Sequence, residues 1–369
     1  MRIEQIEIFQ LKIKLIKPFI ISLGPLEYAE NIIVVIKTDQ GIIGFGECSP
    51  FMTINGESID TCFIVGKYLA TGLLGKNPLL HEECSLIMDN IIYGNTSIKS
   101  AFDIAMYDIA AQNSELPLYK YLNGRTKRQK LVTDYTVSLD EPNIMADDAQ
   151  KIIENGFQII KVKLGDTKKN DIERIRLIRE RIGNKTQIRI DANQGWDVKT
   201  AISILTELER FNIEFCEEPI ARWNFMELSK VKLKSPIPIM ADESCCDHHD
   251  AKRLIQLKAC DLFNVKLGKS SGIFKALKII RLAEKVKMKM QIGGFLESRL
   301  GFTAATHLAL LSDFVVYHDF DTPLMFLEDP VVDGIKYGDH GTITLPRKTG
   351  LGASISDKYL RGLKKIVVR

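Results

Sequence analysis

The segment Ile190-Asp191-Ala192-Asn193 ends an apolar run and begins a pattern that recurs three times further along the chain. The later segments are Cys216-Glu217-Glu218-Pro219, Met240-Ala241-Asp242-Glu243 and Asn264-Val265-Lys266-Leu267. Counted from position 191, the charged positions follow after 26, 25 and 24 residues, at 217, 242 and 266. One strand, one helix and two loops have this length. The period therefore predicts a (β/α) barrel, in which the carboxyl ends of the strands meet at one mouth.

Apolar strands alternate with amphipathic helices from residue 130 onward, which is typical of a parallel sheet. The helices include 169–182 and 198–210. The candidate strands are 133–139, 158–164, 187–192, 213–217, 237–242, 262–266, 289–293 and 314–319. Eight strands are enough to close the sheet, so we predict an α/β fold of the modified (β/α)8 TIM-like barrel type.

The first part of the chain has a different pattern, with alternating strands followed by amphipathic helices, which predicts an α+β domain. The strands are 2–9, 31–38 and 42–48, and the helices are 57–73, 78–92 and 97–113. The tail returns to turns and short strands. We predict an α+β capping domain at 1–125, a catalytic barrel at 126–321 and a C-terminal segment at 322–369 that completes the capping domain.

Composition excludes several classes of protein. The 369 residues include 50 basic and 47 acidic ones in an interspersed order, so no basic stripe indicates nucleic-acid binding. No apolar run is long enough to span a membrane, and the chain opens as a strand rather than as a secretory signal. Seven cysteines, an odd number that includes the adjacent Cys245 and Cys246, fit reduced thiols in the cytoplasm. No cysteine or histidine spacing indicates zinc.

The three acidic strand ends predict a metal site. Asp191, Glu217 and Asp242 would offer three oxygen ligands from successive strands, and Mg²⁺ prefers oxygen ligands together with water or substrate. Asn193 and Glu218 are neighbours that could orient the ligands, although a purely structural role stays open for both. We therefore predict Mg²⁺ as the cofactor.

Two lysines are expected to point into the barrel. Lys161 and Lys163 occupy positions i and i+2 of one strand, so their side chains share a face. The apolar neighbours of this pair make an exposed strand improbable. Lys266 arrives three strands after Asp191 and would face the metal from the other side. The mouth would then hold a cation site between opposed amines.

This arrangement predicts proton abstraction next to a carboxylate. An ion that holds a carboxylate stabilises the second negative charge that develops when the α-proton leaves. A lysine serves as the base if a nearby cation, a second lysine and partial burial lower its pKa. Since one lysine serves each face of the α-carbon, the expected outcome is racemisation or epimerisation.

These motifs resemble those of the enolase superfamily, and within it the muconate-lactonising-enzyme subgroup. The resemblance covers essentially the whole chain and rests on Lys161, Lys163, Asp191 with Asn193, and Lys266. It implies that Lys163 and Lys266 are the acid/base groups. It also implies that Lys161 helps to stabilise the enolate.

A narrower resemblance is to the dipeptide epimerases. Asp319 and Asp321, in His318-Asp319-Phe320-Asp321, look like the two acids that hold the α-ammonium of the substrate in those enzymes. Gly294 and Glu297 match the end of the family's seventh strand, and Thr136 matches its substrate-contacting threonine. The resemblance implies a Mg²⁺-dependent isomerase that interconverts L-Ala-L-Xaa and L-Ala-D-Xaa through an enediolate.

One departure bears on the substrate. Family members that act on Ala-Glu tend to carry an arginine after the first strand, where this chain has Gly24. The neighbouring capping segments are apolar and favour a less acidic second residue, whose identity stays open. Three alternatives remain within the subgroup, namely N-acylamino acid racemisation, o-succinylbenzoate synthesis and cycloisomerisation. A non-catalytic binding protein, the oligomeric state (a homo-oligomer among the options) and a role in recycling cell-wall peptides also stay open.

Overall fold

A computed structural model describes residues 1–124 and 131–369. The predicted boundary between residues 125 and 126 lies outside the described residues, and the division into three segments stays a prediction. Seventeen strands and twelve α-helices are assigned within the described part. All seven cysteines are free thiols. In the described part of the chain, no helix combines the length and apolar character needed to cross a membrane.

The N-terminal strands form an antiparallel sheet with the order β17-β1-β2-β3. Its strands are β1 (Ile3–Ile21), β2 (Gly24–Thr38), β3 (Ile43–Cys48) and β17 (Lys365–Val368). Helices α1 (Ile59–Leu73), α2 (His81–Ile91), α3 (Thr96–Asn113) and α4 (Leu118–Tyr121) follow β3 in the chain. The C-terminal strand thus pairs with the first one, as Ile6 with Val368.

The hairpin between β1 and β2 is much longer than predicted. The predicted strands ended at residue 9 and began at residue 31, but pairing continues to Ile21 and Gly24 at the hairpin tip. The alternation of buried and exposed side chains explains the longer strand, because Leu11, Ile13 and Leu15 are buried and the lysines between them are exposed. The long hairpin carries its tip to the mouth of the barrel, where Ser22 Oγ donates a hydrogen bond to the Asn193 carbonyl at 2.9 Å.

Eight parallel strands, adjacent in chain order, form the central sheet. They are β5 (Tyr135–Val137), β6 (Ile159–Lys163), β7 (Gln187–Asp191), β8 (Ile213–Glu217), β9 (Ile239–Ala241), β10 (Leu262–Lys266), β11 (Lys289–Gly293) and β12 (Val315–His318). The sheet curls until its edges meet, and the Asp134 N–H donates to the His318 carbonyl at 3.4 Å. The predicted TIM-like barrel is confirmed.

Helices cover the outside of this sheet. They are α5 (Pro142–Glu154), α6 (Lys168–Ile182), α7 (Val198–Leu208), α8 (Phe225–Lys234), α9 (His248–Leu257), α10 (Ile273–Lys285) and α11 (Arg299–Ala309). Several of these helices have a side-chain N-cap, and in α6 the Thr167 Oγ1 accepts a hydrogen bond from the Asn170 N–H. Their buried apolar faces and the strands form one continuous core, while the N-terminal sheet and α1 to α3 enclose a second.

Short elements complete the chain around β12. Strand β4 (Leu131–Val132) pairs with β15 (Thr342–Thr344), which pairs with β14 (Lys336–Tyr337). Strand β13 (Val331–Asp333) pairs with β16 (Ala353–Ile355), and α12 spans Asp357–Leu360. These elements lead the chain from the barrel back to the N-terminal sheet.

Candidate active site

The barrel strands carry the predicted polar residues to one end of the sheet. Parallel neighbours place Lys163 beside Asp191 and Asp191 beside Glu217 in the strand ladder. Because the carboxyl ends of the strands converge, side chains far apart in sequence become neighbours. The structure brings together, all of them buried, Lys161, Lys163, Asp191, Glu217, Asp242, Lys266, Asp319 and Asp321.

Lys161 lies at the centre of the cluster. Its ammonium is 2.8 Å from Glu217 Oε2, 3.1 Å from Asp191 Oδ2 and 2.9 Å from Asp319 Oδ2. Because Lys161 is buried, this charge is compensated by the carboxylates rather than by water. Lys161 therefore links the predicted metal ligands to the acids that follow β12.

The two predicted acid/base lysines contact different carboxylates. Lys163 Nζ donates to Asp191 Oδ2 at 2.7 Å and to Asn193 Oδ1 at 2.9 Å. Lys266 Nζ donates to Asp242 Oδ2 at 2.7 Å. Since Asp191 and Asp242 end strands on either side of β8, the two ammonium groups approach the space above β8 from opposite directions.

A cavity opens between these lysines. Aromatic rings lie beside both ammonium groups, with Phe19 at 5.9 Å from Lys163 Nζ and Phe295 at 5.0 Å from Lys266 Nζ, measured to the ring centroids. Such rings keep water from the amines and favour a cation nearby. The wall also includes Ile21, Phe51, Ile54, Thr136, Lys161, Asn193, Gly294, Asp319 and Asp321.

The donor set beneath the cavity fits magnesium. Asp191, Glu217 and Asp242 offer only oxygen atoms, and Asn264 Nδ2 orients Glu217 by donating to its Oε1 at 2.7 Å. Within residues 1–124 and 131–369, no three His, Cys, Asp or Glu side chains are already spaced around one point as metal ligands. A lysine ammonium lies against each of the three carboxylates.

Electrostatics in this arrangement favour charged lysines. Burial lowers the pKa of Lys161, but Asp319, Glu217 and Asp191 outweigh it, so the pKa is well above its ordinary value. The pKa of Lys266 is also raised, since Asp242 and Glu217 outweigh burial. The sequence analysis expected lowered values. The difference arises because that expectation assigned the carboxylates to a cation, whereas here they face the lysines.

The two acids after β12 form a site for a cation. The Thr136 N–H donates to Asp321 Oδ2 at 2.6 Å, while Asp321 Oδ1 is buried and has no hydrogen-bond partner in the described part of the chain. Burial and the neighbouring Asp319 raise the pKa of Asp321 to about 7. An ammonium group placed in the cavity would supply the missing donor and the compensating charge.

Gly294 and Glu297 lie at different depths. Gly294 lines the cavity, but the Glu297 carboxylate is behind it and accepts the Phe295 N–H at 2.5 Å. A Cβ at Gly294 would lie 2.7 Å from Glu297 Oε2 and from the Phe302 ring. The substrate contact of Glu297 stays a prediction, and its carboxylate supports the backbone of the cavity wall.

The sequence analysis missed several charged residues below and behind the mouth. Arg189, two residues before Asp191 on β7, donates to Asp134 Oδ2 and to Glu214 Oε2, both at 2.8 Å. Strand alternation places Arg189 on the interior face and could have revealed it. Lys269, which is buried next to Asp242, follows β10 in what the sequence indicates only as a loop.

Family models match most of the chain. The model described as "Mandelate racemase / muconate lactonizing enzyme, N-terminal domain" matches residues 4–123, and the model described as "Enolase C-terminal domain-like" matches residues 144–359. The chain belongs to the enolase superfamily. Its subgroup is the muconate-lactonising-enzyme one, as the sequence predicted.

Several proteins to which the chain is similar are named as epimerases. The D-Ala-D/L-Ala epimerase of Cytophaga hutchinsonii is 58% identical over all of both chains, and a dipeptide epimerase structure from that organism, complexed with Mg and D-Ala-L-Val, gives a TM-score of 0.99 over all of both chains. The L-Ala-D/L-Glu epimerase of Bacillus subtilis is 39% identical over 99% of this chain and 100% of its own. The Enterococcus faecalis dipeptide epimerase with Mg and L-Leu-L-Tyr gives a TM-score of 0.92 at 35% identity, over 96% of this chain and 100% of that one.

Proposed function

We propose that this protein is a magnesium-dependent dipeptide epimerase that inverts the α-carbon of the second residue. The observation that carries the proposal is the placement of Lys163 and Lys266 on opposite sides of one cavity. Between them lie three carboxylates suited to magnesium. The agreement with relatives named as epimerases supports the same reaction.

The site residues divide the chemistry among them. Held by Asp191, Glu217 and Asp242, a magnesium ion would stabilise negative charge on the substrate carboxylate. Lys163 and Lys266 face the α-carbon from opposite sides, so one amine takes the α-proton while the opposite ammonium returns a proton. This transfer leaves the number of protons unchanged and inverts the stereocentre.

Three further residues position the substrate. Asp319 and Asp321 hold the α-ammonium of the first residue, which fixes the distance from that ammonium to the reacting carbon. Lys161 Nζ lies 2.8 Å from Glu217 and the residue lines the cavity, so it places positive charge beside the developing enediolate. Substrates that lack a free ammonium would leave the buried Asp321 without compensation, and this disfavours the acylamino acid and cycloisomerase alternatives.

The preferred second residue is apolar. A second cavity adjoins the first and shares Phe51 and Leu296 with it. Gly24 lies in its wall, and the charged residues of this wall are Glu30 and Glu57. Among the described residues that line this wall there is no lysine or arginine to hold an acidic side chain, and this disfavours such a side chain here. The relative with 58% identity carries D-alanine first in its name, which favours D-alanine over the L-alanine expected from the sequence.

A dipeptide assay tests the reaction and its substrate together. D-Ala-L-Val, L-Ala-L-Val and L-Ala-L-Glu are incubated with enzyme and Mg²⁺ in D₂O, and both diastereomers are followed by NMR and mass spectrometry. We expect inversion of the valine dipeptides with one solvent deuterium at the second α-carbon, and slower inversion of the glutamate dipeptide. Inversion without deuterium would exclude the two-lysine mechanism, and inertness of all three dipeptides would exclude the function.

Location and assembly are part of the proposal. We place the protein in the cytoplasm, as the seven free cysteines support, and cell fractionation with an antibody against the chain tests this. Recovery in the periplasmic fraction would contradict it. A homo-oligomer is tested by light scattering during gel filtration, where a mass of 41.7 kDa would indicate a monomer instead.

A further inference from the structure

Lys269 is a buried lysine beside the candidate magnesium site, in a position that the reaction does not use. Its ammonium lies 2.5 Å from Asp242 Oδ1 and donates to the carbonyls of Asn264 at 2.9 Å and Cys245 at 3.2 Å. It also donates to the Asp242 carbonyl. The side chain is 2% exposed, so protein oxygens replace water around its charge.

This lysine differs from the three lysines of the cavity. Lys161, Lys163 and Lys266 line the cavity, whereas Lys269 is absent from its wall. Asp242 therefore has one ammonium on each carboxylate oxygen, with Lys266 on the cavity side at Oδ2 and Lys269 behind it at Oδ1. The Asn264 carbonyl of β10 and the Cys245 carbonyl in the loop after β9 accept hydrogen bonds only from the second of these ammonium groups.

The two contacts have different fates during the reaction. In the proposed function Lys266 must turn its amine toward the substrate, so it cannot hold Asp242 in place. Lys269 has no route to the substrate and keeps its contact throughout. We infer that Lys269 is a positioning residue that fixes the Asp242 carboxylate so that Oδ2 faces a bound magnesium ion. This inference rests on the proposed assignment of Asp242 as a magnesium ligand.

The expected effect is on metal affinity. Groups that orient metal ligands typically contribute about 10- to 100-fold to affinity or activity. Replacing Lys269 by methionine keeps the length of the side chain but removes the charge and the donors. We expect the Kd of Mg²⁺ for the variant Lys269→Met to rise by about 10- to 100-fold.

The experiment is calorimetric titration of the full-length protein with MgCl₂, with thermal unfolding measured alongside. Lys99→Met is the matched control, because Lys99 is also 2% exposed and pairs with Asp89 at 3.0 Å and the Ile92 carbonyl at 2.7 Å, within the N-terminal helices. We expect both variants to unfold at lower temperature, and only Lys269→Met to bind Mg²⁺ more weakly.

Lys269→Gln is the second variant, for use if Lys269→Met does not fold. The glutamine amide still donates hydrogen bonds to backbone carbonyls and so supports folding. The inference is supported if a folded Lys269 variant binds Mg²⁺ more weakly than wild type while Lys99→Met keeps the wild-type Mg²⁺ affinity. Unchanged Mg²⁺ affinity in the folded Lys269 variant overturns it and leaves the proposed function intact. If the wild-type protein itself binds no Mg²⁺, the metal assignment in the proposed function fails, and the inference fails with it.

Discussion

Buried carboxylates occur in two regions of this molecule, and each region compensates them differently. At the barrel mouth, Asp191, Glu217 and Asp242 face lysine ammonium groups. Between the N-terminal elements and the barrel, Glu47 on β3 accepts instead from the N–H groups of Ser298 at 2.9 Å and Gly301 at 2.8 Å. Ion pairs at the mouth can exchange partners, whereas backbone donors at a helix start are fixed.

The second region has two further carboxylates of the same kind, both on α3. Asp103 accepts the Phe274 N–H at 3.1 Å at the beginning of α10, and Asp108 accepts the Leu351 N–H at 2.7 Å. Within the described residues, neither these two nor Glu47 forms an ion pair. We conclude that the mouth is built for the exchange of cations, and that the interface is built for permanent attachment of the cap through backbone N–H donors.

The largest effect is expected from removing either lysine at the mouth. Lys163→Ala and Lys266→Ala should each reduce epimerisation by about 1,000-fold or more, because general acid/base groups contribute about 10²–10⁴-fold. Each variant should still exchange the α-proton of one diastereomer, since the opposite lysine remains. NMR of both diastereomers in D₂O measures inversion and exchange separately. Inversion at the wild-type rate would remove that lysine from the mechanism, and Lys99→Ala serves as the control.

A smaller effect is expected from neutralising the ammonium site. Asp321→Asn keeps the size of the side chain but loses the charge that faces the first residue. We expect kcat/KM for D-Ala-L-Val to fall by roughly 100-fold, because a hydrogen bond to a charged group contributes about 1.5–3 kcal/mol. N-acetylated dipeptide, which lacks the ammonium, is the control substrate and should change little. An unchanged rate with the free dipeptide would favour the acylamino acid alternative.

At the interface, Glu47→Ala should reduce stability. The substitution leaves the Ser298 N–H, the Ser298 hydroxyl and the Gly301 N–H without their acceptor. We expect a loss of roughly 2 kcal/mol in the free energy of unfolding, since a buried unpaired donor costs about 1–3 kcal/mol. Urea denaturation measures it. The control is Glu30→Ala, which removes an exposed ion pair with Lys12 and should change stability by under about 0.5 kcal/mol. Equal losses of stability in both variants would mean that the buried Glu47 contributes no more than an exposed ion pair.

The barrel and the charged mouth were predictable from sequence for a physical reason. Strands β8, β10 and β11 begin and end where predicted, because their apolar runs are bounded by charged or turn residues. The position of a residue at a strand end then fixes its place at the mouth. Spacing therefore predicted positions at the mouth for Asp191, Glu217, Asp242 and Lys266, and strand alternation predicted the shared face of Lys161 and Lys163.

Features that depend on tertiary contact were not predictable. The hairpin of β1 and β2 extends because its buried alternation finds a core to pack against, although lysines and a proline interrupt the apolar run. Glu297 turns behind the cavity wall, where its carboxylate accepts a hydrogen bond from the Phe295 N–H. Lys269 is buried because carbonyls of β10 and of the loop after β9 surround its ammonium group, whereas residues in loops are ordinarily exposed.

The smallest effect is expected from pH acting on the interface. Burial raises the pKa of Asp103 from its ordinary 3.8 to about 7, and the hydrogen bonds from the start of α10 only partly oppose this. Because the folded pKa is the higher one, the stabilising contribution of Asp103 is complete below pH 3.8 and is lost as the pH rises through about 7. Asp103→Asn removes this dependence while its amide oxygen still accepts the Phe274 N–H. Relative to wild type, the variant should gain roughly 1 kcal/mol of stability between pH 5 and pH 8, a value discounted from the pKa shift for relaxation of the buried site. Urea denaturation of both proteins at the two pH values measures the difference, and the Glu30→Ala variant should show no such gain.

If Asp103→Asn instead loses stability relative to wild type as the pH rises, the hydrogen bonds from the start of α10 compensate the Asp103 carboxylate well. The interface would then resemble the mouth, where lysines compensate the carboxylates.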